Sequence, residues 1–374
     1  MATDDSAFLN IARLRLSNQR ITGRKCEDPA EVVKWLGAVQ AQDFLGSLWA
    51  IGLRTRNASE TDIELALAKR TIVRTWPMRG TLHIVPASDV RWMLSLLAPR
   101  ILARNSARLK REYGLDGDIL ARSRKILSRA LRGGKKLTRG AVYETLESAG
   151  VVVSGQRGIQ ILWCLAHEGL LCLGAREWKQ QTFVLMEEWV PETGELDREE
   201  ALARLTQRYF ISHGPATIRD YQWWSGLTAA EAARGLAMVK RTLTCVVIGG
   251  QTYWMAESMP AKFTAVSQVH LLPPFDEFTV AYKDRTAAMH PSYMKRGVVG
   301  FGINSPSIVV GERVVGTWGR VLSKQKVFVV PGSTLSAKKV TRDGLTRTAQ
   351  RYGKFLGMPV SVRFAPSKKS SGGK

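Results

Sequence analysis

Between Trp35 and Trp49 the chain reads Trp-Leu-Gly-Ala-Val-Gln-Ala-Gln-Asp-Phe-Leu-Gly-Ser-Leu-Trp, so Gln40, Gln42 and Asp43 interrupt a strongly apolar stretch. Amides in such surroundings need hydrogen-bond partners or a task, because a buried polar group left alone costs free energy. Residues i and i+2 diverge by about 200° on a helix but share a side in an extended segment. The stripe Val32, Val33, Leu36, Val39 predicts a helix that stops at this point. Unwinding after Val39 would let Gln40 and Gln42 face one cavity. Two neutral amides cannot trade protons as carboxylates do, but they can position a water and aim dipoles at a developing charge. The plainer alternative is that both amides cap the helix end or hold the loop.

Other catalytic sets are missing. There is no Gly-x-Ser-x-Gly, no His-Glu-x-x-His and no Walker glycine loop, and the five histidines (His83, His167, His213, His270, His290) are far apart in sequence. The four cysteines (Cys26, Cys164, Cys172, Cys245) are scattered, with no Cys-x-x-Cys pair, which supports neither a disulfide framework nor a metal site. No cofactor is expected. The opening Met-Ala-Thr-Asp-Asp-Ser is acidic where a signal peptide would be basic, and the longest greasy stretch, Ile159 to Leu173, is broken by His167 and Glu168. A cytoplasmic, nucleoid-associated monomer without a membrane span is the expectation.

The elements that must position the glutamines repeat. Three times, short amphipathic helices precede a pair of apolar strands. The first set is Phe8–Arg20, Pro29–Val39 and Thr61–Lys69, then strands Ile72–Trp76 and Gly80–Val85. The second is Ile119–Leu131, Thr138–Ala149 and Gln156–Glu168, then Leu170–Leu173 and Thr182–Met186. The third is Arg198–Ser212, Ala216–Ser225 and Ala229–Val239, then Thr242–Ile248 and Gln251–Ala256 around a Gly249-Gly250 turn. Helices capped by a β-hairpin are the winged-helix form of helix-turn-helix. After Val266 the pattern turns to β, with one helix over Lys339–Leu356, as in a small barrel or sheet. The expected fold is therefore α+β: winged helices over 1–86, 87–190 and 191–260, a barrel-like domain over 261–366, and a disordered basic tail over 367–374.

Charge points to the partner. Of 374 residues, 55 are Lys or Arg and 32 Asp or Glu, a net charge of +23. Residues 100–139 carry 13 basic and 3 acidic side chains, and residues 336–374 carry 10 and 1. Solvated helix faces usually balance such runs with acids; here the acids are missing, and no helix has the aromatic face that lipid binding needs. A polyanion, nucleic acid, is the expected partner. Candidate phosphate contacts are Arg79 and His83 on the first wing, the run Arg100, Arg104, Arg108, Lys110 and Arg111, and Lys338 and Lys339. For Arg79 and His83, packing against Trp76 and a core histidine are equal readings. Asp276 and Glu277 read as residues that orient a loop, and Trp223-Trp224 as helix core.

Together these residues resemble the AlkZ-type winged-helix DNA glycosylases. Gln40-Ala41-Gln42 looks like that family's catalytic Gln-apolar-Gln motif, a sister branch of which has Gln-x-Asp. Trp76-Pro-Met-Arg-Gly-Thr-Leu-His83 is similar to its first-wing signature, Tyr221-Gln-Trp-Trp-Ser-Gly-Leu227 to its third winged helix, and Leu271-Leu-Pro-Pro-Phe-Asp-Glu277 with Tyr282-Lys-Asp-Arg285 to its entry into the C-terminal barrel. The resemblance covers roughly residues 5–364. Ala41 is smaller than the Leu or Val expected there, and Asp43 follows the motif directly.

The resemblance implies a monofunctional, metal-independent glycosylase that excises bulky N7-alkylated purines, unhooks interstrand crosslinks, and binds duplex DNA in a C-shaped cleft. Such chemistry suits glutamines. N7-alkylation makes the purine a cationic leaving group that needs no acid, so what remains is to hold a water beneath C1′ and stabilise an oxocarbenium-like sugar. An open site is expected, since a base tethered to the opposite strand cannot enter a closed pocket. A hairpin such as Ser307–Val315 is expected to brace the minor groove. The alternative is a non-catalytic winged-helix DNA-binding protein, a regulator or lesion sensor.

Overall fold

The computed structural model describes residues 2–192, 194, 196–257, 268–290, 304–332 and 342–364, with backbone alone for 2–9. Lys338, Lys339 and the basic tail over 367–374 lie outside the described residues.

The N-terminal part opens with helices α1 (Ala2–Asn18) and α2 (Pro29–Leu36). Asp28 caps α2 by accepting from the Glu31 N–H, and Pro29 takes the first turn, where its missing N–H costs nothing. The helix ends three residues earlier than its apolar stripe predicts, because Gly37 adopts φ 82° and returns its N–H to the Val33 carbonyl. A side chain there would also run into the Arg208 stem, 2.9 Å from the would-be Cβ. Val39–Gln40 then extends as strand β1.

Helix α3 (Phe44–Gly52) is an element the sequence pattern does not show. It is buried from Gly46 onward, so no polar face marks a period. Gly52 lets it pack against Phe355, whose ring occupies the space a Cβ would take. Helix α4 (Glu60–Ala68) leads to the hairpin β2 (Ile72–Met78) and β3 (Thr81–Pro86).

Next come α5 (Val90–Tyr113), α6 (Gly117–Leu131), β4 (Leu137–Thr138), α7 (Arg139–Ser148), α8 (Arg157–His167), β5 (Leu171–Leu173), β6 (Thr182–Leu185) and the short α9 (Met186–Trp189). Helix α5 runs through an exposed Pro99; its first half is core and its second half stands in solvent with the basic run. The first two hairpins do not stand apart. They join edge to edge through Arg74 and Leu173 in one six-stranded sheet, ordered β1-β3-β2-β5-β6-β4.

Helices α10 (Arg198–His213), α11 (Ile218–Ser225) and α12 (Ala229–Val239) precede a separate hairpin, β7 (Leu243–Ile248) and β8 (Gln251–Ala256), turned at Gly249-Gly250 with both φ positive, as the sequence predicts. The C-terminal sheet runs β13-β12-β11-β10-β9 over β9 (Val269–Leu272), β10 (Ser307–Val310), β11 (Arg313–Leu322), β12 (Val327–Pro331) and β13 (Val360–Val362). Helix α13 (Glu277–Val280) follows β9. Helix α14 (Arg342–Leu356) joins β12 to β13, and these two strands are parallel, as a helical crossover allows.

Among the described residues β9 and β13 are the two edges of this sheet, so it is open rather than a closed barrel. The strands of the hairpin expected in the minor groove pack inward, and its turn, residues 310–313, is partly exposed. Ile308, Val309, Val314 and Val315 are core, and its turn is tied to α1 by an Arg13–Glu312 ion pair of 2.6 Å. The exposed hairpin tip of this sheet is at Val321 and Leu322. One core joins α1–α4 to β9–β12 and α14, which brings the start of the chain onto its end.

Candidate active site

Strand β1 sits at the edge of the six-stranded sheet, with Gln40 directly opposite His83 on β3. The backbone around it is fixed from three directions. The Gln40 N–H donates to Glu277 Oε1 at 3.0 Å, and the Ala41 N–H to the Leu82 carbonyl at 2.8 Å. The Ala41 carbonyl accepts from both Nε (3.1 Å) and Nη2 (2.7 Å) of Arg74. Ala41 is fully buried. Burial lowers the Arg74 guanidinium to about 10, with Asp43 opposing that fall, so it stays charged at neutral pH.

The two glutamines are unlike. Gln40 is 8% exposed, and its Oε1 is closed to solvent without a hydrogen-bond partner among the described residues. Gln42 is exposed, and its Oε1 accepts from the Leu82 N–H at 3.0 Å. That bond fixes which way the Gln42 amide points: oxygen toward β3, nitrogen outward. The two amides therefore differ: the Gln40 carbonyl accepts no bond among the described residues, and the Gln42 carbonyl is engaged. Asp43 is engaged as the cap of α3, its Oδ1 2.5 Å from the Gly46 N–H.

Glu277 lies behind β1 and is the junction of the site. Its Oε1 takes the Gln40 N–H; its Oε2 takes Trp224 Nε1 at 3.0 Å and is 3.5 Å from His213 Nε2. Burial alone would raise this carboxyl; the neighbouring His213 and the Arg79 charge outweigh it and hold the group below the usual carboxylate range. Asp276, one residue earlier, caps α13 and is gripped by two nitrogens of Arg54, each at 2.8 Å. Both acids orient a loop, as their sequence context suggests.

His83 is a correction. It is fully buried, Nδ1 is 2.9 Å from the Thr81 carbonyl and Nε2 is 3.2 Å from Arg79 Nη2. Burial and then the Arg79 charge push it down to about 3, so it is neutral and has no face for a DNA phosphate. It positions Arg79 instead. Arg79 takes φ 55° at the tip of the β2–β3 hairpin and is half-buried.

The structure gathers part of the predicted basic set. Arg79, Arg100 and Arg104 line one pocket of about 280 Å³ between α5 and the α11–α12 connection. Arg108, Lys110 and Arg111 lie beyond it on α5, where Arg108 and Arg111 both reach Glu112, at 3.6 and 3.1 Å. Of the tryptophan pair, Trp224 is core, whereas Trp223 is partly exposed beneath Lys283 and Arg285.

Arg74 and the contact role of Glu277 escape sequence reasoning. A lone arginine in the apolar strand Ile72-Val-Arg-Thr-Trp is a usable signal for the first. For the second there is none, since partners 237 residues apart share no local pattern. Among the described residues no group of three His, Cys, Asp or Glu side chains could hold a metal ion, and no helix is long and apolar enough to cross a membrane.

Comparison with known proteins bears on this arrangement. The chain is similar to the interstrand DNA cross-link repair glycosylase of Streptomyces sahachiroi, 26% identical over 346 residues that span 87% of this chain and 91% of that protein. Its fold matches the solved structure of Streptomyces sahachiroi DNA glycosylase AlkZ with a TM-score of 0.75 at 23% identity, covering 96% of this chain and 99% of that one. The family described as DNA glycosylase AlkZ-like matches residues 33–355, a span that contains the glutamines, Arg74, Arg79 and Glu277. The chain belongs to the AlkZ-like DNA glycosylase family.

Proposed function

We propose that this glycosylase hydrolyses the N-glycosidic bond of cationic N7-alkylated purines in double-stranded DNA, including bulky and crosslinked ones, through Gln40 and Gln42. The observation that carries the reading is the contrast at β1. A backbone clamped by Glu277, Leu82 and Arg74 presents one buried, unpartnered amide oxygen, and two residues on an exposed amide whose direction is fixed. Native interiors seldom leave a buried acceptor unpaired, and one that persists at a family's motif position is a candidate for use in the reaction.

In this reading Gln40 Oε1 accepts a hydrogen bond from the attacking water and faces the positive sugar as it forms, while the Gln42 N–H2 holds the water oxygen or a sugar oxygen. The C1′–N9 electron pair leaves with the alkylpurine, which becomes neutral, and the proton shed by the water as its oxygen bonds to C1′ passes to solvent. Because Gln40 Oε1 is closed to bulk solvent, the side chain must turn outward when DNA is bound. The cation supplies the leaving-group activation, so no acid is required. No lysine intermediate forms. Asp43 serves α3 and Glu277 serves the backbone, so neither acts as the base.

The same proposal reads residues 1–86, 87–190 and 191–260 as three winged-helix units, the first two sharing one sheet, with 261–366 as the fourth domain of a C-shaped, nucleoid-associated monomer. The exposure of Gln42 suits a cleft open on one side, where a base still tethered to the other strand can be accepted.

The test is unhooking. Duplex DNA carrying a nitrogen-mustard interstrand crosslink is incubated with the wild-type protein, Gln40→Ala and Gln42→Ala, and single strands are separated after alkali. Resolution of the crosslink by wild type alone, with duplex binding retained in both variants, supports the assignment. Unhooking by both variants at the wild-type rate would remove the glutamines from the mechanism.

A further inference from the structure

Three arginines line one pocket where the β2–β3 hairpin, α5 and the α11–α12 connection come together. Arg79, Arg100 and Arg104 line the same pocket of about 280 Å³, with Asn105 and the backbone at Ser225–Gly226 completing it. Arg100 and Arg104 are exposed, one helical turn apart on the same face of α5, and neither has an ion-pair partner among the described residues. The one carboxylate in the lining, Glu231, is already bound to Arg198 and to the N–H and hydroxyl of Thr228. Gly226 has φ 75°, and a Cβ there would stand 3.2 Å from Arg79 Cγ, so the bare backbone at this turn makes room for the arginine stem.

We propose that this pocket binds a single phosphodiester group of the DNA backbone and thereby sets the distance between the strand and Gln40. The proposal rests on the reading of the chain as acting on duplex DNA. Planar guanidinium forks match phosphate oxygens in pairs, and three arginines lining one small cavity, whose one carboxylate is already engaged by Arg198, fit a fixed anion better than a sliding surface contact. The volume lies just below that of typical small-molecule sites, about 300–1,000 Å³, and suits one backbone group rather than an extruded nucleoside. Position supplies the rest. Arg79 Nη2 is 3.2 Å from His83 Nε2, and His83 is the cross-strand partner of Gln40. A phosphate seated on Arg79 is therefore held two side chains from the motif, by residues whose own positions are set by the sheet.

The experiment is a phosphate walk. Duplexes with one uncharged methylphosphonate linkage, moved stepwise along each strand near an N7-methylguanine, are titrated against the wild-type protein and an Arg100→Ala/Arg104→Ala variant, whose changes lie on an exposed helix face. Wild type should lose about tenfold in affinity at one linkage. In the variant that positional loss should vanish, and its salt dependence should be shallower by about one phosphate. Equal positional loss in both proteins, or no sensitive linkage in a wild type that binds DNA well, would overturn the pocket while leaving the glycosylase reading intact. A wild type that binds no duplex would remove the DNA reading and this proposal with it.

Discussion

Replacing Gln40 by methionine should make the protein more stable and end base release. The buried Oε1 accepts no hydrogen bond, and an unsatisfied buried acceptor costs about 1–3 kcal/mol. Methionine has nearly the length and flexibility of glutamine and carries a thioether that tolerates apolar surroundings, so side-chain entropy and volume largely cancel. The backbone clamp to Glu277 uses the Gln40 N–H and survives the change. Allowing for lost hydration of the amide nitrogen, the net gain should be about 1 kcal/mol. Gln42→Met is the control. It removes the acceptor from the Leu82 N–H, but at an exposed position water can replace it, so a loss of at most about 1 kcal/mol is expected. Urea denaturation at equal slope reads both changes as shifts in midpoint. The two glutamines should thus move stability in opposite directions while both variants lose activity. A Gln40→Met variant that loses more than about 1 kcal/mol would mean that its amide is bonded in the folded protein, and the reasoning would fail.

Glu277→Gln should cost about 2–4 kcal/mol and slow base release while changing duplex affinity little, because its N–H2 must face one of the donors now served by the carboxylate, the Gln40 N–H or Trp224 Nε1. Unaltered thermal stability together with an unaltered rate would contradict the clamp. Stability should also fall on mild acidification: burial depresses His83 and His270 to about 3, so below the ordinary imidazole value of 6.5 the unfolded chain binds protons that the folded one does not. The stabilisation is whole above pH 6.5 and is lost as pH falls toward 3, with Glu277 adding to the loss only below its ordinary 4.5; urea midpoints that stay level from pH 7.5 to 5 would count against it. Duplex binding should weaken with salt at a log–log slope near −0.9 per neutralised phosphate and show little sequence preference; a tight consensus from a binding selection would point to base reading instead.

Much of this site was legible in the residues because local signals were strong. Asp28-Pro29 starts α2 and Gly249-Gly250 turns β7 into β8 for reasons confined to a few positions. Gln40 and Gln42 stand out as amides in an apolar run, and extended backbone does follow the helix. What the pattern missed is tertiary. Helix α3 is buried all round and so has no period to read. The stop at Gly37 wins over the Val39 stripe because positive φ and the approach of Arg208 decide the local geometry. The pairing of Arg74 with Leu173 that merges two hairpins, the burial of His83 against Arg79, and the reach of Glu277 to Gln40 all depend on partners distant in sequence. Gln42 likewise accepts from the Leu82 N–H, 40 residues away, a bond no composition argument could foresee.

The central claim is that two amides suffice because the damaged base is already a cation. Single-turnover release of free base from otherwise identical duplexes holding N7-methylguanine, hypoxanthine or uracil tests it most directly, with Gln40→Met and Gln42→Met run in parallel. Release of N7-methylguanine alone is expected, reduced about 100-fold or more in each variant, as for loss of a group that stabilises the transition state. Efficient release of hypoxanthine or uracil by the wild-type protein would contradict it, because a neutral leaving group needs an acid that Gln40 and Gln42 cannot supply.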